Sequence, residues 1–135
     1  MISGLLVLID RLEGEHAEVR HALDALGSVE HGDGVALRGA LAAGLEVLGT
    51  GLDVHSADED EDLFPRLAAM MGHGMVSVFV EEHVRIRALR DQVYESMRQG
   101  VADFDGCAEL CELLGDHMER EDQALFPSAR SVLAE

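Results

Sequence analysis

The chain has 135 residues, 47% hydrophobic but only 4% aromatic, with no Trp, two Pro and a formal net charge of -17. That length suits one domain with a proper core and is short for two, so residues 1–135 read as a single domain. The acidity argues against nucleic acid or an anionic membrane surface as a partner, because phosphates would be repelled, and no apolar stretch approaches the roughly 20 residues that span a bilayer.

Abundant Leu, Ala and Val with few prolines favour an all-α chain. The segment Met1 to Leu12 carries a short apolar run, Leu5 to Ile9, without the basic start or small-residue cleavage site of a signal peptide. Leu5, Ile9, Leu12, His16, Val19, Leu23 and Leu26 alternate steps of four and three residues, which draws one stripe along a first helix with His16 inside it. The glycines and acidic turn formers of Glu30-His31-Gly32-Asp33-Gly34 end that helix and leave His31 in an exposed loop.

A second helix repeats the seam in Leu41, Leu45, Leu48, Leu52, His55, Glu59 and Leu63, with a kink or restart expected at Pro65. Gly72-His73-Gly74 closes it and places His73 in a loop. Gly39, Gly44, Gly49 and Gly51 each weaken this helix by about 1 kcal/mol relative to Ala. A third helix runs from Met75 to Met97 with Phe79, His83, Ile86, Val93 and Met97 on one face, interrupted by Arg90. After Gln99-Gly100, Asp103 can cap a fourth helix that continues through Leu110, Leu114, His117, Glu121 and Leu125. Short loops between four helices predict an antiparallel up-down four-helix bundle. Cys107 and Cys111, four apart on the last helix, read as core thiols rather than a secreted disulfide framework, which makes a reducing cytoplasm the expected compartment.

Internal repetition is the strongest signal. The run His55-Ser-Ala-Asp-Glu59-Asp60-Glu-Asp-Leu63-Phe64-Pro65 recurs as His117-Met-Glu-Arg-Glu121-Asp122-Gln-Ala-Leu125-Phe126-Pro127. Glu15-His16-Ala-Glu-Val19-Arg20 returns as Glu82-His83-Val-Arg-Ile86-Arg87. Each half therefore carries both elements in the same order, as two repeated helical hairpins related by a pseudo-twofold axis would. Residues four apart share a helix face, so His55 with Glu59 and His117 with Glu121 form two claws, and His16 and His83 complete the ring. Any one of these histidines alone is more simply a core residue bonded to a carboxylate. Six ionisable groups pointing into a narrow bundle are costly unless paired, and metal ions use neutral imidazoles and carboxylates together. His/Glu ligation suits iron, with zinc also chemically possible, and bridging carboxylates favour two ions. Two histidines per ion and two bridges leave positions for a bridging oxygen and for an exogenous small molecule.

The repeated His-x-x-x-Glu-Asp-x-x-Leu-Phe-Pro motif with its paired Glu-His elements resembles the hemerythrin-like, or HHE cation-binding, family across essentially the whole chain. The resemblance implies a four-helix bundle holding an oxo- or hydroxo-bridged centre of two Fe ions, with His16, His55, Glu59, His83, His117 and Glu121 as ligands and the two glutamates as bridges. Oxygen-carrying members place a further histidine where Arg87 stands, and their fourth-helix carboxylate is an Asp at the spacing of Asp122. The repeat favours Glu121, the partner of Glu59.

A ferritin-like reading needs two Glu-x-x-His elements, and only Glu13-x-x-His16 is present. His21 points away from His16, and Tyr94 lies about 16 Å along the helix from His83, too far to ligate. Glu15, Glu82 and Asp116 each precede a candidate ligand and are placed to accept an imidazole N-H from a neighbouring helix, or to line a solvated edge. Arg20 and Arg87 are candidates to pair with such carboxylates or with the bridging glutamates. The expected function is uptake of dioxygen, nitric oxide or peroxide for sensing, storage or delivery. An enzyme consuming peroxide or nitric oxide, or an iron buffer, is the alternative.

Overall fold

The computed structural model describes residues 2–134, with side chains from Gly4 to Ala134; Met1, where the first apolar segment was read to begin, and Glu135 lie outside the described residues. All regular structure among the described residues is helical. Helix α1 (Ile2–Gly27) leads through a turn at Gly32, whose φ of 95 is open to glycine, into α2 (Gly34–Ala43). Asp33 caps α2 by accepting from the Ala36 N-H at 3.1 Å. After a 58° bend the chain continues as one rod, Val47–Met71, in which α3 (Leu52–Asp58) and α4 (Phe64–Met71) alternate with π-helical turns at Val47–Gly51 and Glu59–Leu63. Helix α5 (His73–Arg98) follows, then α6 (Phe104–Arg120), a third π turn at Glu121–Leu125, and α7 (Phe126–Ala134). The Asp103 carboxylate accepts from the Gly106 N-H at 2.9 Å, which is the expected cap of the last rod.

Contacts close these rods into a ring. Helix α1 packs on the rod from Val47, that rod packs on α5 through α4, α5 packs on α6, and α6 returns to α1. The stripe expected on α1 is buried along its whole length, from Leu5 to Leu26. Two apolar clusters result. Leu23, Leu41, Leu110 and Tyr94 belong to one, and Ile9, Leu12, Phe64 and Phe126 to the other. The buried histidines and glutamates of the repeat form the layer that interrupts the apolar seam.

Two expectations are corrected. His73 is the first residue of α5 and not a loop residue, because Gly72 at φ 92 makes the turn alone. Leu45, expected in the second seam, is 51% exposed, since the bend between α2 and the Val47–Met71 rod takes it off the buried face. The restart expected at Pro65 is present: α4 begins at Phe64, and both Phe-Pro steps follow directly on a π turn. Proline cannot donate to the carbonyl four residues back and crowds it, and the wider preceding turn accommodates that loss.

Arg90, which breaks the apolar pattern of α5, is buried and donates to the Leu48 carbonyl at 3.1 Å and to Asp53 at 2.6 Å. It thereby satisfies the π turn beside Gly49 and Gly51. One turn on, the Tyr94 hydroxyl donates to the Leu41 carbonyl at 2.8 Å, near the end of α2. The Arg90→Ala variant should lose about 2–3 kcal/mol, because a carbonyl and a carboxylate lose a charged donor, and Tyr94→Phe about 1 kcal/mol. Denaturant melts of the two variants check the order; equal stability to the parent would show that the π turn holds itself.

Candidate metal centre

Two of the three π turns begin at Glu59 and Glu121, so the carboxylates that follow each claw histidine sit where the helix is locally widened. Widened turns of this kind concentrate at functional sites. His16 comes from α1, His55 from α3, His83 from α5 and His117 from α6, and all six side chains are buried. Two groups of four form, His16 with His55, Glu59 and Glu121, and His83 with His117, Glu59 and Glu121, in which one ligand atom per residue lies within 4.8 Å of the others. Both glutamates belong to both groups. His16 Nε2 lies 3.1 Å from Glu121 Oε1, His83 Nε2 lies 3.0 Å from Glu59 Oε1, and the facing Nε2 atoms of His83 and His117 are 3.1 Å apart.

Each imidazole is oriented by a carboxylate on a neighbouring helix. His16 Nδ1 meets Asp122 at 2.8 Å, His55 Nδ1 meets Glu15 at 2.9 Å, His83 Nδ1 meets Asp60 at 2.8 Å and His117 Nδ1 meets Glu82 at 2.8 Å. A carboxylate only accepts, so each Nδ1 carries the hydrogen and each Nε2 presents a lone pair inward. Around the chain the links run from rod to rod in one closed circuit. An arginine backs each carboxylate: Arg11 with Glu15 at 3.0 Å, Arg120 with Glu82 at 2.5 Å, Arg20 with Asp122 at 2.5 Å and Arg87 with Asp60 at 3.9 Å.

With neutral imidazoles and ionised glutamates the interior is all acceptors. His16 Nε2 and all four oxygens of Glu59 and Glu121 are buried without a hydrogen-bond partner among the described residues. Burial pushes the Glu59 carboxyl well up, and the neighbouring Glu121 charge pushes it further. Burial also pushes Glu121 up, but its contacts with Glu59 and His16 reverse this and hold it at about 2. Burial lowers His55 and His117 against the pull of their carboxylates and favours the neutral form that ligates, whereas at His16 the lowering by burial is outweighed by the Glu121 and Asp122 carboxylates, which raise it. Four imidazole lone pairs converging on two carboxylates fit divalent or trivalent cations and no neutral ligand.

The expected acceptors Glu15 and Glu82 are in place; Asp116 is exposed and pairs with no imidazole among the described residues. Sequence reasoning missed the role of Asp60, and treated Asp122 only as a rival ligand. Both directly follow a glutamate of the claw, and that Glu-Asp pair in both repeats was the available signal. Arg87 reaches Asp60, and its side chain is 35% exposed. His21 and His31 are exposed, as expected.

A cavity of ≈ 10 Å³ adjoins the four imidazoles, room for about one water-sized group. Val19, Ile86, Leu52 and Leu114 give it apolar walls, and Ser56 and Met118 complete them.

Residues 7–129 match the hemerythrin HHE cation binding domain, and the chain belongs to that family. Its members bind cations, and the histidine and glutamate clusters supply the donors for that here. Among characterised proteins the chain is similar to a DNA nickase of Nostoc sp. (strain PCC 7120 / SAG 25.82 / UTEX 2576), 26% identical over 84 residues. That match covers 62% of this chain and 24% of the relative, so the chain spans about a quarter of that protein. No solved structure matches the chain. Among the described residues no single helix is long and apolar enough to cross a membrane.

Proposed function

We propose that this protein is a di-iron protein that takes up a small molecule such as dioxygen, nitric oxide or peroxide at a centre shared by His16, His55, Glu59, His83, His117 and Glu121. The carrying observation is the pair of four-residue groups that have both glutamates in common. In this reading the ring of rods is an antiparallel up-down four-helix bundle made of two hairpins, and each hairpin supplies two histidines and one glutamate. Iron bound there would supply redox chemistry and an open coordination position. The protein's own residues orient the imidazoles through Glu15, Asp60, Glu82 and Asp122, exclude bulk water, and limit the ligand to the size of the adjoining cavity.

Iron analysis of aerobically loaded, desalted protein is expected to give about two iron atoms per chain, because the donor set divides evenly between two ions. One iron per chain, or none retained, would remove the di-iron reading. Consumption of peroxide or nitric oxide at the same centre is the second reading. Arg87 favours it: the side chain at this position pairs with Asp60, so both groups of four contain the same two-histidine complement and neither half is closed by a fifth nitrogen. Optical spectra with oxygen and then peroxide separate the two, a lasting adduct marking binding and turnover marking catalysis.

A further inference from the structure

The ten residues around the cavity are five repeat pairs. His16 with His83 and Val19 with Ile86 are each 67 positions apart; Leu52 with Leu114, His55 with His117 and Ser56 with Met118 are each 62 apart. Four of the pairs are identical or nearly so. The fifth is not: a hydroxyl follows His55 where a thioether follows His117. Both side chains are buried, Ser56 at 2% and Met118 at 2% exposure, so neither difference is dissolved in solvent. Val19 is also smaller than Ile86. Wherever the walls differ, the bulkier member belongs to the second half, and Ser56 is the only side chain in the wall, apart from the imidazoles, that can donate a hydrogen bond.

We infer that the cavity takes a single exogenous ligand to which the Ser56 hydroxyl donates: Ser56 lies one turn before Asp60, on the face of its rod that meets His83, while Met118, one turn before Asp122 on the face that meets His16, fills the equivalent place with a side chain that donates nothing. The inference rests on the di-iron reading above. Ser56 lies mid-helix, where a serine hydroxyl can return to the carbonyl four residues back when no other acceptor is present. A ligand that is anionic or has a lone pair on the atom remote from the metal gains the donor; carbon monoxide, a poor acceptor, gains little. Ser56 is thus a ligand-contacting residue that selects for polar diatomic and triatomic ligands, and the pair of ions takes up one of them at a time.

Azide is the probe, since it accepts hydrogen bonds and its charge-transfer band reports binding to ferric iron. Diferric parent protein should bind one azide per two irons. Ser56→Ala should weaken azide about tenfold, the effect of one hydrogen bond to a charged acceptor, and Ser56→Thr, which keeps the hydroxyl, should restore most of it. The azide stretching band should shift in D2O for the parent and not for Ser56→Ala. Iron content and melting temperature measured on the same samples show whether each variant still holds the centre. Unchanged azide affinity and an unchanged isotope response in an iron-replete Ser56→Ala protein would overturn the role of Ser56. Parent protein that holds two irons and binds no azide would overturn the open coordination position, and this inference with it.

Discussion

Glu121→Ala is expected to strip metal from both halves of the centre, leaving fewer than about half an iron per chain, whereas Asp122→Ala should keep both irons with affinity lowered roughly 10- to 100-fold. The two residues are adjacent, and sequence spacing alone left either as the inner ligand. Glu121 is fully buried, its oxygens have no hydrogen-bond partner, and it belongs to both groups of four. Asp122 instead holds His16 Nδ1 at 2.8 Å and is itself held by Arg20. In the di-iron reading, losing Glu121 takes a donor from each ion, whereas losing Asp122 frees one imidazole to rotate. Iron content followed during chelator competition distinguishes them. A Glu121→Ala protein that retained two irons while Asp122→Ala lost them would reverse the assignment.

The second large effect is on stability. Removing iron with a chelator should cost about 4 kcal/mol, the linkage expected for ligand at a thousand times its dissociation constant. For a chain of this size that lowers the melting temperature by on the order of 10–15 °C. The direction follows from the interior: without cations it holds lone pairs against lone pairs, with His83 Nε2 and His117 Nε2 3.1 Å apart and no donor for Glu59 or Glu121. His55→Ala and His117→Ala should each reproduce most of the drop and to a similar extent, because the repeat gives them equivalent places. Calorimetry of metal-loaded and metal-free protein checks this. Equal melting temperatures would mean that the buried acceptors are satisfied by protons rather than by metal.

The apolar stripe of α1 and the doubled motif were legible in the sequence because both are periodic, and period is what a helix turns into position. The convergence of His16, His55, Glu59, His83, His117 and Glu121 follows from that reading and is what the structure brings together. The π turns were not legible: an extra residue in one turn leaves no mark in residue type, except indirectly through the Phe-Pro that follows. Leu45 was misplaced because a periodic pattern runs straight through a bend that only tertiary packing creates. The partnership of Asp60 with His83, and of Asp122 with His16, depends on which rods become neighbours, which no local spacing encodes. Arg90 looked like an interruption because its acceptors, the Leu48 carbonyl and Asp53, lie on another helix.

The circuit of carboxylates around the imidazoles sorts by origin. Glu15 with His55 and Glu82 with His117 are links inside one half of the chain, while Asp60 with His83 and Asp122 with His16 join one half to the other. A lone half would therefore keep one oriented histidine and one without its acceptor, and would present an aspartate with no imidazole to hold. Two such halves repair each other's deficits reciprocally, as the two faces of a symmetric dimer do, here within one chain that passes through the turn at Gly72. The centre is in that sense an interface within one chain, and its two halves need not match residue for residue: Ser56 stands opposite Met118 in the repeat, and Asp58 opposite Arg120.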